Sequence, residues 1–151
     1  MGTGKTTVAK TLAKKLHFIY LDVNGLIKKN KSVVVNYDEL RKTKEIDVNK
    51  LNKILLTLIK ENKKGIVIDS HLSHYLPSKI VDICIVCRCN LKTLKKRLEK
   101  RKYSSLKIQE NLEAEIFDVC LVDALEAGHN VEIIQTDKNM NQQLNNLLKK
   151  I

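Results

Sequence analysis

Apolar residues recur along this chain in two rhythms, one helical and one continuous. Val8, Leu12 and Leu16 stand four apart, which predicts a helix over 5–16. Phe18 to Asp22 reads as a short strand. Residues 24–47 are polar and irregular, with no period to assign. Asp47 then caps an amphipathic helix whose stripe is Val48, Leu51, Ile54, Leu55, Leu58 and Ile59. That helix stops at Gly65, and Ile66-Val67-Ile68-Asp69 follows as an apolar run of the kind expected in a strand covered on both faces. Asp82 to Arg88 is a second such run. Asn90 caps a helix carrying Leu91, Leu94 and Leu98. One long helix is expected from about Ser105 to just before Gly128. Val131 to Ile134 is the last strand, and Met140, Leu144, Leu147, Leu148 and Ile151 mark a closing helix. Strands separated by helices predict a parallel α/β sheet with right-handed crossovers, without internal repeats or linkers.

Composition narrows the class. A chain of 151 residues with 43% apolar and 30% charged residues is the size and make-up of one globular domain. No apolar run approaches the roughly 18 residues of a membrane span, and no apolar leader opens the chain, so neither a membrane nor secretion is expected. Lys and Arg number 28 against 17 Asp and Glu, a net charge of +11, which favours anionic partners or simply solvates helix faces. Cys84, Cys87 and Cys89 lie inside one apolar run, where a fourth well-spaced ligand is missing; they read as buried free thiols and not as a zinc site. Reduced thiols, Cys120 included, fit a cytoplasmic compartment.

The chemistry begins at Met1-Gly2-Thr3-Gly4-Lys5-Thr6-Thr7. Gly4, Lys5 and Thr6 match the last three positions of the phosphate-binding loop G-x-x-x-x-G-K-[ST] and open the first helix, as that motif requires. A lone Gly-Lys-Thr says little; Gly-x-Gly-Lys-Thr-Thr opening an amphipathic helix says much more. Amides at that helix start would cradle phosphates, Lys5 would reach the β- and γ-phosphates, and the Thr6 hydroxyl would enter a Mg²⁺ shell. Gly2 lets the backbone approach closely. The motif's first Gly and its leading strand would fall ahead of Met1. A strand buried on both faces, with about four large apolar side chains, is worth on the order of 8 kcal/mol gross, against a net domain stability of about 5–15 kcal/mol. The expectation is that the gene starts upstream, or that this chain is destabilised.

Asp69 ends an apolar run and so sits at the carboxyl edge of a parallel strand, where ligands gather. There a carboxylate can hold a water of the Mg²⁺ shell; the alternative is a turn or helix-capping Asp. His71, two residues on, could orient an attacking water or a phosphate-bearing substrate. His17, His74 and His129 are expected to be structural or superficial. Arginine occurs only at Arg41, Arg88, Arg97 and Arg101, and its planar fork suits phosphate better than lysine does. Arg88 ends a strand near the expected site. Arg97 and Arg101 lie four apart in a basic stretch, with a solvated face as the alternative reading.

Beyond the loop, Asn36-Tyr37-Asp38-Glu39, Glu45-Ile46-Asp47, Asp69-Ser70-His71 and Leu98-Glu99-Lys100-Arg101-Lys102-Tyr103 occur in an order and spacing that closely resemble the adenylate kinase isoenzyme 6 family, small nucleoside monophosphate kinase-like ATPases. The resemblance covers essentially the whole chain. It implies an α/β P-loop NTPase three-layer sandwich with a central parallel sheet, here lacking its first strand, as a single domain over 1–151. It places the ATP-phosphate loop on Gly2, Thr3, Gly4, Lys5, Thr6 and Thr7, the monophosphate-binding segment on 24–47 with Tyr37 and Asp38, and the lid on about 100–110. Its lid arginine falls on Arg101 and a nucleotide-contacting lysine on Lys138. The family usually has Gly after that arginine, where this chain has Lys102, which would stiffen the hinge.

Two functions are expected from these features, with an inactive fragment as a third reading given the broken loop. The first is Mg²⁺-dependent transfer of the ATP γ-phosphate to AMP or a related nucleoside monophosphate, with Lys5, Asp69, His71 and Arg101 as the catalytic set and Arg88 beside the substrate. The second, implied by the resemblance, is a nucleotide-driven assembly factor for the small ribosomal subunit, working with a ribosomal protein and rRNA. With four Tyr, two Phe and no Trp, a base-stacking platform is not expected.

Overall fold

A computed structural model describes residues 1–41 and 43–150; Lys42, inside the expected monophosphate segment, and Ile151, expected in the closing helix, lie outside the described residues. The chain forms two compact units, Met1–Val8 with Pro77–Ile151, and Ala9–Leu76. The boundary falls inside the first helix.

Helix α1 runs over Lys5–Leu16, as its four-residue spacing predicts. Residues 1–4 form no strand and lead directly into α1. In the Ala9–Leu76 unit, β1 (Ile19–Asp22) pairs in parallel with β4 (Ile66–Asp69), in the register Ile19↔Ile66 to Asp22↔Asp69. Ile66, Val67 and Ile68 are each half-buried, less than expected of a strand covered on both faces. The segment read as irregular is in fact ordered. It holds α2 (Val23–Lys29), a one-turn 3-10 segment at Lys31–Val33, and an antiparallel hairpin of β2 (Val34–Asp38) and β3 (Thr43–Ile46). Polar residues obscured it because a hairpin with both faces half-solvated shows no apolar alternation: Val35, Asn36 and Tyr37 are all exposed. Helix α3 (Val48–Glu61) starts where expected, with Asp47 accepting from the Lys50 amide at 3.0 Å. It buries Leu51 and Leu55.

In the other unit, β5 (Cys84–Arg88) pairs in parallel with β6 (Val131–Gln135), in the register Cys84↔Val131 to Arg88↔Gln135. The described parallel strands thus form two separate pairs, not one continuous hydrogen-bonded sheet. Helix α4 (Leu91–Lys100) is capped by Asn90, which accepts from the Thr93 amide at 2.8 Å. The single long helix expected next is two, α5 (Ser105–Ile116) and α6 (Val119–Glu126). They break because Asp118 adopts a left-handed φ of 53°, which a helix interior forbids. Helix α7 (Met140–Leu148) closes the chain. Val8, Cys87, Ile134, Leu144 and Leu147 form one buried cluster, and Cys89, Leu94 and Leu98 form a second with Tyr103, Ile108 and Leu112 against it. All four cysteines are free thiols; Cys87 and Cys89 are buried, Cys84 half-buried and Cys120 exposed. The described chain is α/β, with parallel strands joined through helices. Among the described residues, no helix is long and apolar enough to cross a membrane.

Candidate functional site

The loop before α1 is shaped by two glycines at φ values of 86° and 98°, Gly2 and Gly4. A methyl on Gly2 would lie 2.9 Å from Leu98 Cδ2, and one on Gly4 would lie 3.0 Å from Thr136 Cβ. Both positions therefore exclude side chains on two grounds, backbone conformation and space. The helix begins at once: the amides of Thr7 and Val8 donate to the Gly4 carbonyl at 3.0 and 3.2 Å. The amides before them have no partner within the helix, which is the general state of a helix start, and they carry the positive end of its dipole. Lys5 is half-buried, and Thr6 and Thr7 are exposed at this end. Thr3 is buried.

Polar side chains hold the loop from behind. The Arg97 guanidinium donates from Nη1 to Thr136 Oγ1 at 2.9 Å and to the Gly2 carbonyl at 3.5 Å. The Thr136 hydroxyl in turn donates to the Thr3 carbonyl. Arg97 is thus not merely a solvated basic face. Sequence reading missed Thr136; the signal that was available is its place directly after the carboxyl end of a parallel strand.

Arg88 ends β5, but its fork is already engaged. Nε lies 3.5 Å from Glu115 Oε1, and Nη2 pairs with Asp118. Glu115 Oε1 also accepts from the Cys89 amide at 3.2 Å. Both acids sit at the break between α5 and α6, so the left-handed Asp118 and the guanidinium belong to one arrangement. Arg101 is exposed and caps the end of α4. Lys102 after it adopts φ of 55°, the conformation that glycine accommodates without penalty. Lys138 is exposed in the turn after β6, and Gln143 ties that turn down by donating to the Gln135 carbonyl at 2.9 Å and to that of Lys138.

The remaining expected site residues lie in the Ala9–Leu76 unit. Asp69 is buried at the carboxyl end of β4 and accepts from the Tyr20 hydroxyl at 3.0 Å. Burial, and then that hydrogen bond, push the Tyr20 phenol up to about 12. Asp22, the register partner of Asp69, uses its carboxylate to cap α2 through the Asn24 amide. His71 is exposed in the turn after β4, where the Leu72 amide donates to Ser70 Oγ at 2.9 Å. Tyr37 is exposed on β2. Asp38 ends that strand and accepts from the Arg41 amide at 2.8 Å and from its Nη1 at 3.1 Å. The backbone donor first, then the guanidinium, hold its carboxyl below the usual range. His74 and His129 are buried, as expected of structural histidines.

The chemistry of this loop fits a phosphate chain, since the first amides of α1 lack partners within the helix and Lys5 adds a cation. For magnesium, the oxygen donor that this loop offers is the exposed Thr6 hydroxyl. Such a donor fits an ion that usually takes one or two protein oxygens and fills its shell with water and phosphate.

A family model described as AAA domain matches residues 1–118. A putative adenylate kinase of Methanocaldococcus jannaschii is 37% identical over 150 residues, covering 99% of this chain and 81% of that protein. One from Pyrococcus furiosus is 40% identical over 152 residues, covering 99% and 79%. The adenylate kinase isoenzyme 6 homolog of Caenorhabditis elegans is 31% identical over 150 residues, covering 99% and 82%.

Proposed function

We propose, from the premise that the chain belongs to the adenylate kinase family of these relatives, that it transfers the γ-phosphate of ATP to AMP or a related nucleoside monophosphate, and to water as an ATPase. It is a nucleoside monophosphate kinase by family. The observation that carries the reading is the cradle made by Gly2 and Gly4 at the start of α1, closed from behind by Leu98 and Thr136. Residues 1–151 act as one domain in this reading, with segment 24–47 on the acceptor and 100–110 as the lid.

Phosphoryl transfer asks a protein mainly for position and charge. The amides of Gly2 to Thr6 seat the phosphates with the Thr7 hydroxyl beside them, and the Lys5 ammonium offsets their charge as a point cation. Arg101, exposed at the end of α4, offers a bidentate fork from the lid. Lys138 contacts the nucleotide from its turn. Thr6 and Asp69 would hold magnesium, which would supply positive charge against the phosphates. Tyr37 and Asp38 orient the acceptor, and His71 orients its attacking oxygen or a water. No protein nucleophile is required, because the acceptor phosphate attacks directly.

The test is turnover with AMP, with CMP and with no acceptor, in wild type and Lys5→Ala. Acceptor-dependent ADP formation that Lys5→Ala abolishes is expected. Turnover indifferent to every monophosphate contradicts the kinase part, and unchanged ATP affinity in Lys5→Ala contradicts the loop assignment.

The net charge of +11 favours a second, compatible role as an assembly factor of the small ribosomal subunit in the cytoplasm, engaging a ribosomal protein and rRNA. It predicts ATP-dependent retention of a ribosomal protein in a pull-down; retention that ignores nucleotide counts against it.

A further inference from the structure

We infer that Thr136 is a positioning residue for the phosphate loop, acting through the loop's carbonyls with Arg97 as its anchor; this rests on the reading of that loop as a phosphate cradle. A hydroxyl has one proton and two lone pairs, while a guanidinium donates only. Arg97 Nη1, at 2.9 Å, therefore occupies an acceptor position on Thr136 Oγ1 and leaves its proton for a carbonyl. Two carbonyls are within reach, those of Thr3 and of Arg88, the latter at 3.2 Å and already accepting from the Thr136 amide at 2.8 Å. The Thr3 carbonyl is the nearer of the two.

The consequence follows from peptide geometry. In a trans peptide the C=O of one residue and the N–H of the next point in opposite directions. Drawing the Thr3 carbonyl towards Thr136 turns the Gly4 amide the other way. Drawing the Gly2 carbonyl towards Arg97, at 3.5 Å, does the same for the Thr3 amide. Both donors are thereby aimed away from Arg97 and Thr136 before any anion arrives, and preorganised donors need no reorganisation on binding. The Thr136 side chain also occupies the space beside Gly4, with Cγ2 3.1 Å from where a methyl would stand, so it limits the loop's freedom on that side. A side chain that contacts no phosphate thus sets the direction of the groups that do.

The experiment compares wild type, Thr136→Val, Thr136→Ser, Arg97→Lys and Lys5→Ala for binding of ATP, of inorganic tripolyphosphate and of adenosine, with thermal melting of each. Valine keeps the shape and loses the hydroxyl; serine keeps the hydroxyl. Thr136→Val should weaken ATP and tripolyphosphate by the same factor, about tenfold for one lost hydrogen bond, and leave adenosine within about twofold. Thr136→Ser should recover most of that loss, and KM for ATP should rise in Thr136→Val while KM for the acceptor does not. Arg97→Lys, which loses the fork, should weaken tripolyphosphate in the same direction, and it decides the matter if Thr136→Val does not fold. Unchanged tripolyphosphate affinity, or a loss confined to adenosine, overturns the inference in favour of a base contact or a packing role. Lys5→Ala separates the layers: tripolyphosphate lost in Lys5→Ala but kept in Thr136→Val removes the positioning role alone, whereas tripolyphosphate kept in Lys5→Ala removes the cradle itself.

Discussion

The Tyr20 hydroxyl donates to Asp69 Oδ2 at 3.0 Å across a parallel pair in which Asp22, not Tyr20, is the register partner of Asp69. The phenol reaches diagonally to the end of β4 and satisfies a carboxylate that is otherwise buried. A neutral phenol is what that carboxylate prefers, so the proton on Tyr20 is retained up to about 12. Because the folded value lies above the ordinary 10.0, the stability linked to this group is complete below pH 10 and fades as pH rises towards 12. Ultraviolet titration should show one of the tyrosines ionising late. Tyr20→Phe should remove that late step and lower stability by about 1 kcal/mol in urea denaturation. A titration with no delayed tyrosine in wild type rules the contact out.

Gly4→Ala should be one of the most damaging single-methyl additions in the chain. It forces alanine to φ of 98° and puts a methyl 3.0 Å from Thr136, whose side chain is held by Arg97. A loss of about 1–3 kcal/mol is expected, together with weakened ATP binding. Full ATP affinity at wild-type stability in Gly4→Ala would be incompatible with this loop geometry.

Asp47 gives the Ala9–Leu76 unit an acid-sensitive point. Its carboxyl is held below the usual range, first by the Lys50 amide that it caps. A depressed folded value means stability that is present above the ordinary carboxylate range and is lost as pH falls through the folded value. Asp47→Asn keeps a good cap without the titration. Acid unfolding followed by circular dichroism should therefore show a shallower dependence in the variant; identical acid limbs would refute the capping account.

The pairing of Arg88 with Glu115 is more than a solvated contact, since the two side chains are only 28% and 13% exposed. Arg88→Met leaves Glu115 with the Cys89 amide alone and should destabilise by about 2 kcal/mol. Adding Glu115→Met should recover part of that loss in a double-mutant cycle. Strict additivity of the two single variants would show that the ion pair contributes nothing.

Local signals explain why much of the architecture was readable in advance. Helix α1 is bounded by an apolar spacing and a glycine pair, and α3 and α4 by the caps Asp47 and Asn90, all of which act within one helical turn. The β4, β5 and β6 strands are continuous apolar runs of the kind that parallel pairing favours. The hairpin of β2 and β3 escaped because solvent on both faces removes the alternation that marks a strand. The split of α5 from α6 escaped because its cause, Asp118 turning towards Arg88, lies outside the helix that it interrupts.

For the candidate site, the proposed phosphate loop rests on short-range order: two glycines, a lysine and two threonines at the mouth of a helix involve no distant partner. Folding alone decided which groups support it. Thr136 meets Thr3 from 133 residues away, Tyr20 meets Asp69 from 49, and Arg88 meets Glu115 from 27. A hydroxyl or guanidinium can serve many partners, and only the packing of strands and helices chooses among them, because burial penalises every polar group that is left without one.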